Sequence, residues 1–275
     1  DLPGFLFPDA YPRVTLSVFW QGEHVFVGGA DNGIYVVDAS DPKEPKLVRH
    51  WIPEPIARIG QVQVIGSLLV ATMAEESETI LLDVSDPADP QEIPGGRFHA
   101  VDSMGKPVDA YFSNTTGGFI YFALKEGGGG MVVMDIHDPS KSKFAGEARS
   151  PDGNGGYVFL HEGFAFEGES GFATIYDVRD LGEISEVRRL YLKGDLDFAT
   201  PLGNVVLLSV DEDAKKGQAS AVVPWRGQPD ATPPEVTWSW PPDGAEDLPL
   251  GTRIGVTFGE FVEPLSAFEG SVRVY

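Results

Sequence analysis

The amino-acid sequence predicts an all-β protein made of repeated four-stranded antiparallel sheets. One observation is a recurring phrase in which an apolar run ends at an aspartate and a proline turn follows, as in Gly33–Pro45. A second is the spacing of these aspartates, which is 45, 52 and 42 residues along the series Asp38, Asp83, Asp135 and Asp177. A period in the forties with four strands per unit is typical of a β-propeller, whose blades pack face to face around an axis.

Five blades are predicted from short apolar or alternating runs separated by turns rich in Gly, Asn, Asp and Pro. They span 11–52, 59–98, 107–149, 156–193 and 196–225. Pro224 stands where the fifth blade would carry its aspartate, so that blade departs from the pattern. Five blades is a low number for closure, and an exposed edge strand promotes aggregation. We therefore expect a larger ring or a partner that covers the edge, and we predict an N-terminal arm at 1–10.

The four repeat aspartates have a local structural explanation. Each one closes the third strand of its blade, where a carboxylate accepts hydrogen bonds from N–H groups of the following turn. The second aspartate of the phrase precedes proline in three copies, and proline cannot continue a central strand. The residues predicted to be structural turn residues rather than metal ligands are Asp38, Asp83, Asp135 and Asp177.

These phrases resemble the LVIVD repeat, a bacterial propeller repeat found mostly in secreted and cell-surface proteins. The segments that carry the resemblance are Ile34–Asp38, Ile80–Asp83 and Val132–Asp135, each followed by an Asp-Pro turn. The resemblance covers about residues 11–225 and implies a propeller and export from the cytoplasm. It implies no catalytic residues.

The composition changes after Trp225. Residues 226–233 are predicted to be a proline-rich linker, and 234–275 contain a strand, a Pro-Asp-Gly turn and further strands. The segments that resemble the opening of a bacterial Ig-like domain are Pro234–Val236, Pro242–Ala245 and Ile254–Phe258. A complete sandwich needs about 100 residues, so we expect a partial, truncated Ig-like β-sandwich. Trp238 and Trp240 share one strand face, and either both lie in a core or one belongs to an interface.

The formal net charge of -22, from 42 acidic and 20 basic residues, restricts the partners. An acidic protein repels phosphate backbones and anionic lipid surfaces, so nucleic-acid binding and docking on membranes are not expected. The absence of cysteine excludes disulfides, thiolate metal sites and thiol catalysis. No run reaches the roughly 18 apolar residues that are needed to cross a bilayer. A lipid anchor outside the given sequence is compatible with these observations.

No catalytic, cofactor-binding or metal-binding set is predicted from the motifs. The five histidines form no His-x-His or His-Glu-x-x-His pair, and no Gly-x-Ser-x-Gly or P-loop pattern is present. The glycine run at 126–130 lacks the Lys-Ser/Thr ending of a phosphate loop and is predicted to be a hairpin. Carboxylates would serve glycosidase chemistry, but nothing selects one pair among 42 acids.

One face of the predicted propeller collects acidic residues, because the loops between second and third strands share that face with the loops that join blades. The acids of the former loops, which form the predicted acidic rim, are Asp31, Glu75, Glu76, Glu78, Glu126, Glu167, Glu169, Asp211, Glu212 and Asp213. The blade-joining loops add Asp102, Asp152, Asp195 and Asp197. Three interpretations are open: a docking surface for a basic partner, a weak Ca²⁺ site, or solvated tips without a ligand.

The sequence favours a non-enzymatic interaction or scaffold protein, an accessory subunit of a bacterial cell-surface or periplasmic assembly. Its predicted location is extracytoplasmic, and propeller-face loops and Ig-like strands would bind protein partners without a cofactor. The alternative is a carbohydrate- or polymer-active hydrolase or lyase with a carboxylate pair in the central pocket. Two inward-facing carboxylates about 5–10 Å apart would favour that alternative, and a centre filled by apolar side chains would argue against it.

Overall fold

The computed structural model describes residues 17–125, 127–215, 218–263 and 266. Within them, four four-stranded sheets, one three-stranded sheet and one two-stranded sheet are present. Each is an antiparallel meander, because its strands pair in the order in which they occur in the sequence. The predicted arm at 1–10 lies outside the described residues. In the described ranges no helix is long and apolar enough to cross a membrane.

The strands of the first three blades have the following bounds. The first blade contains β1 (Ser17–Gln21), β2 (His24–Gly28), β3 (Ile34–Asp38) and β4 (Lys46–Trp51). The second contains β5 (Ile59–Ile65), β6 (Leu68–Met73), β7 (Glu78–Asp83) and β8 (Gln91–His99). The third contains β9 (Ala110–Thr116), β10 (Phe119–Leu124), β11 (Gly129–Asp135) and β12 (Lys143–Ser150).

The remaining sheets complete the described chain. The fourth blade contains β13 (Val158–His161), β14 (Phe164–Gly168), β15 (Ala173–Asp177) and β16 (Ser185–Leu190), with a 3₁₀ turn at Leu181–Glu183. The fifth contains three described strands, β17 (Phe198–Leu202), β18 (Val205–Ser209) and β19 (Ser220–Pro224). The last sheet pairs β20 (Val236–Trp240) with β21 (Gly255–Phe258). The four-stranded prediction therefore holds for the first four blades, and the fifth sheet is three-stranded in its described part.

Burial explains why the middle strands are continuous apolar runs. All six residues of β6 are buried, whereas three of the six residues of the outer strand β4 are exposed and none is buried. A strand covered on both faces has no solvent side, so its sequence does not alternate. The middle strands of the second, third and fourth blades are thus sandwiched between neighbouring blades.

The inner strands of successive blades lie side by side, in the order β1, β5, β9, β13 and β17. Between the first two blades, Phe26 and Val36 pack with Ile59 and Leu69 in one buried cluster. Equivalent clusters join the second blade to the third, the third to the fourth and the fourth to the fifth. The core of this protein therefore lies between sheets, as face-to-face blade packing requires.

Each repeat aspartate closes the third strand of its blade by accepting a hydrogen bond from the backbone N–H two residues later. The donor–acceptor distances are 2.9, 2.8, 2.9 and 3.1 Å for Asp38, Asp83, Asp135 and Asp177. In the same four blades, the pairing of third and fourth strands contains a register shift, a β-bulge that repeats with the sequence phrase. These carboxylates are turn elements.

The hairpin of β20 and β21 packs against the propeller end that carries the turns between first and second strands. Hydrogen bonds fix it to three blades. They run from Arg253 N to Ser67 Oγ (2.6 Å), from Gly117 N to Thr257 Oγ1 (3.0 Å) and from Glu162 N to the Gly259 carbonyl oxygen (2.7 Å). The described part of the predicted Ig-like segment is a two-stranded sheet attached to the propeller, and a complete Ig-like β-sandwich stays a prediction.

Trp238 is the apolar anchor of this hairpin. It is 8% exposed and packs in the cluster between the second and third blades, with Leu68 and Ile120. Trp240 is half-buried and borders a groove of about 440 Å³ beside Pro249. Trp238 is therefore a core residue, whereas Trp240 packs against the margin of the same cluster and also borders the groove.

Replacing Trp238 by Ala is expected to lower the free energy of unfolding by about 3–5 kcal/mol, because it leaves a cavity between two blades. Trp20 provides the control, because it is 71% exposed and Trp20→Ala should change that free energy by about 0.5 kcal/mol or less. Chemical denaturation followed by circular dichroism measures both. Equal, small effects would contradict the integration of the hairpin into the propeller core.

Candidate functional site

The acidic rim follows from the way successive blades are joined. Ala30, in the turn after β2, pairs with Ile59 at the start of β5. Glu76, in the turn after β6, pairs with Ala110 at the start of β9, and the fourth blade repeats the arrangement. Turns between second and third strands therefore lie beside the blade-joining segments, on one face of the propeller.

Carboxylates from three consecutive blades come together on this face. Burial and the neighbouring carboxylates Glu78, Asp109 and Asp31 raise the pKa of Glu76, with Arg58 acting against them. Asp31 belongs to the first blade, Glu76 and Glu78 to the second, and Asp109 precedes the third. Asp109 is exposed. It belongs to this group, although the sequence analysis did not include it in the predicted acidic rim. The group carries a negative potential that suits a cationic partner.

The other predicted rim acids differ in exposure. Glu75 is exposed and forms an ion pair with Arg58. Glu78 is half-buried and lies 3.4 Å from Arg97. In the fifth blade the exposed acids are Asp211, Glu212 and Asp213.

Two predicted members are not on the rim. Glu167 and Glu169 have 0% exposure, because β14 runs to Gly168 and places Glu167 on the strand face that packs against the third blade. Glu126 lies outside the described residues. The blade-joining acids comprise exposed Asp152, half-buried Asp195, and buried Asp102 and Asp197.

Aromatic rings occupy the centre of the acidic face. Phe112 of β9 stacks on Tyr157, and Tyr157 stacks on Phe198 of β17, with 4.0 Å between ring centroids in each pair. Tyr111 meets Tyr157 edge to face at 6.4 Å, and the Lys125 Nζ lies 3.8 Å from the Tyr111 ring centroid. In the described part of the chain, these rings fill the region, and the buried Asp197 lies beside them.

Asp197 is a buried carboxylate beside these rings. Burial and the carboxylates Asp195 and Asp211 raise the pKa of Asp197 to about 6, with Lys125 acting against them. Burial and the charge of Asp197 in turn raise the pKa of Tyr111. A carboxyl that changes charge near pH 6 makes the negative potential of this face depend on pH.

A second group of titratable side chains lies at the opposite end, where the C-terminal hairpin packs. One ligand atom each of His161, Glu162, Asp230 and Glu260 lies within 4.8 Å of the others. Imidazole nitrogen and carboxylate oxygen are donors that suit ions such as zinc or manganese. However, the Arg226 guanidinium pairs with Glu162 and lies 2.9 Å from Asp230 Oδ2. Because Arg226 already supplies positive charge, the geometry fits an ion-pair cluster that ties the fourth blade to the C-terminal segment.

Sequence analysis predicted no metal ligands and missed this ion-pair cluster. The adjacent His161 and Glu162, at the tight turn after β13, were the one local signal. Asp230 and Glu260 are far from His161 and Glu162 in the sequence and come close to them only in the folded protein. Burial lowers the pKa of His161, and burial together with Asp230 raises the pKa of Glu260.

The family described as LVIVD repeat matches residues 12–51 and 115–148. These segments contain the first blade and much of the third, including the turn aspartates Asp38 and Asp135. The chain is a repeat-based, β-propeller-like protein. No curated protein sequence matches it.

Solved structures share the fold at low sequence identity. A protein from Bacteroides uniformis, provisionally described as a 6-phosphogluconolactonase, is 14% identical, with a TM-score of 0.62 over 83% of this chain and 72% of that one. A protein of the same provisional description from Bacteroides fragilis is 12% identical, with a TM-score of 0.56 over 70% of this chain; the match spans 62% of that protein. The computationally designed Ika8 protein is 12% identical, with a TM-score of 0.50 over 78% of this chain and 72% of its own. These likenesses establish the propeller architecture and carry no activity to this chain.

Replacing Asp197 by Asn is expected to stabilise the protein at pH 7 by about 1–3 kcal/mol. The folded-state pKa lies above the unfolded value, so the folded state holds the proton more tightly and stability falls as pH rises from about 4 to about 6. The asparagine variant lacks this titration, so its advantage over the wild type should grow across that interval. Chemical denaturation at several pH values measures the difference.

The exposed neighbour Asp211 supplies the control. Asp211→Asn removes a like charge but no buried acid, so it should shift the pH profile of stability much less than Asp197→Asn. Identical profiles for the wild type and Asp197→Asn would contradict the raised pKa.

Proposed function

We propose that this chain is a non-enzymatic interaction protein that binds a basic protein partner through the acidic rim. The observation that supports this proposal is the convergence of carboxylates from three consecutive blades, since Asp31 and Asp109 both lie close enough to Glu76 to raise its pKa. The turns that carry them are anchored by strands on both sides, so little ordering is required when a partner binds. Charges at such a rim mainly accelerate association and select the partner.

We also propose that the protein works outside the cytoplasm, as an accessory subunit of a bacterial cell-surface or periplasmic assembly. The support is the resemblance of its repeats to those of exported LVIVD propellers, together with the matches at 12–51 and 115–148. The segment 234–275, interpreted as the start of an Ig-like domain, would provide a second attachment surface. Its described hairpin already leaves a groove beside Trp240 open at about 440 Å³.

The hydrolase alternative has weaker support. A catalytic carboxylate pair would be expected at the central pocket, and the centre of the acidic face is instead filled by the stacked rings of Phe112, Tyr157 and Phe198. The provisional lactonase descriptions belong to proteins 12–14% identical to this chain. A scaffold requires rigid surfaces, and the strand-anchored turns of the acidic face support that proposal.

The rim proposal predicts that a lysine-rich probe peptide binds and that binding weakens as salt rises, because exposed charges are screened. The triple variant Asp31→Asn/Glu75→Gln/Glu76→Gln should weaken binding by about tenfold or more, since each lost contact contributes up to about 1 kcal/mol. Isothermal titration calorimetry at two salt concentrations measures both effects.

A matched control removes three exposed acids from the turns between third and fourth strands. The variant Asp41→Asn/Glu44→Gln/Asp89→Asn changes the net charge equally, and its three side chains are exposed. It should bind the peptide as the wild type does. Equal weakening by both triple variants would show that net charge alone attracts the peptide and would refute a rim-specific site.

A further inference from the structure

The interface between the third and fourth blades contains two carboxylates that the acidic-rim proposal does not use. Glu167, on β14, and Glu169, directly after it, both have 0% exposure. Residues two apart on a strand point to the same side. Ala165 and Tyr176 on that side pack in the cluster shared with the third blade. Two acidic side chains thus enter a dry interface between sheets.

Three of the four carboxylate oxygen atoms of this pair have no hydrogen-bond donor among the described residues. In the described part of the chain, neither oxygen of Glu167 has a hydrogen-bond partner, and Glu169 Oε2 has none. Glu169 Oε1 accepts one bond from the Tyr176 hydroxyl, at 2.7 Å. The buried Ser150 Oγ, at the end of β12 in the third blade, is likewise without a partner.

Two glycines make room for the Glu169 carboxylate. A Cβ at Gly153 would stand 1.8 Å from Glu169 Oε2 and 3.0 Å from Ser150 Oγ, and a Cβ at Gly129 would stand 2.6 Å from the same carboxylate oxygen. Larger residues would therefore fill the space that the carboxylate occupies. Ser150 Oγ and Glu169 Oε2 share this small cradle, which is built from the third blade and the segment that follows it.

Among the described residues, no lysine or arginine is hydrogen-bonded to either carboxylate. Arg189 on β16 influences the pair only at a distance, because its guanidinium is bonded to Glu186 at 2.9–3.0 Å. Burial and the neighbouring Glu169 raise the pKa of Glu167 well above its ordinary value. Buried carboxylates are stable only when they are protonated or when a cation pairs with them.

We propose that Glu167, Glu169 and Ser150 form a buried binding site for a hard cation, with Ca²⁺ as the best match, that clamps the third blade to the fourth. Ca²⁺ takes oxygen ligands, chiefly carboxylates and carbonyls with water completing its shell, and the Ser150 hydroxyl would add one further oxygen. The two glutamates come from the fourth blade and the serine from the third, so the bound ion joins two sheets. This site is independent of partner binding at the acidic rim.

The test starts from full-length protein stripped of metal with a chelator. Addition of Ca²⁺ alone, at about a hundred times its Kd, should raise the melting temperature by about 5 °C. Glu167→Gln and Glu169→Gln should each lose this rise. Elemental analysis of protein purified without chelator should find close to one calcium per chain.

Three further variants localise the effect. Glu75→Gln/Glu76→Gln removes rim acids and should keep the full calcium shift, because both residues are exposed. Gly153→Ala, which crowds the Glu169 carboxylate, should reduce the shift. Ser150→Ala removes a single ligand atom, so it should weaken calcium affinity and remain informative if the glutamate variants do not fold.

Two results would overturn the proposal. The first is that Ca²⁺ does not change the melting temperature of the wild type, while Glu167→Gln is more stable than the wild type at pH 7. This result would identify a protonated acid pair. The second is a calcium shift that disappears in Glu75→Gln/Glu76→Gln and persists in Glu169→Gln, which would place the ion on the rim.

Discussion

Neighbouring blades bury each other's apolar faces, and no other part of the molecule can form without this packing. A single four-stranded blade has two apolar faces, and without its neighbours both faces would be exposed to water. Strand β6, buried along its whole length, shows the result. Phe26 of the first blade and Leu69 of the second share one cluster. The repeat aspartates stabilise the turns between third and fourth strands. Asp83, for example, accepts a hydrogen bond from the backbone of the turn that leads into the fourth strand.

Blade packing also separates two chemically different ends. The turns between second and third strands and the blade-joining segments meet on one face, where Asp31, Glu76 and Asp109 concentrate negative charge around stacked rings. The turns between first and second strands meet on the other, where the C-terminal hairpin inserts Trp238 and binds back through Arg253. One end is therefore a charged surface, and the other is covered by the chain itself.

The buried acids conflict with the packing that otherwise holds the fold. An unpaired charge in a blade interface costs several kcal/mol, yet Glu167 and Glu169 enter one together. The glycines at 129 and 153 leave space for a carboxylate where an apolar side chain would pack. At the opposite end the same problem is solved by Arg226, whose guanidinium bonds Glu162 and Asp230. Arg226 supplies the positive charge for Glu162 and Asp230 at that end, and the proposed cation would supply it for Glu167 and Glu169.

The sequence by itself determined the repeat, the four-stranded antiparallel sheets and the turn role of Asp38, because period, strand patterning and turn chemistry are local properties. It also placed the loops that share a face, since strand order within a blade dictates this. Only the tertiary structure decided which acids are exposed. Glu75 and Glu169 both follow the second strand of a blade. The side chain of Glu75 is exposed to solvent, whereas that of Glu169 is buried against the third blade. Likewise, Asp230 and Glu260 reach His161 only when the C-terminal hairpin packs on the fourth blade, because such contacts depend on sheets far apart in the chain.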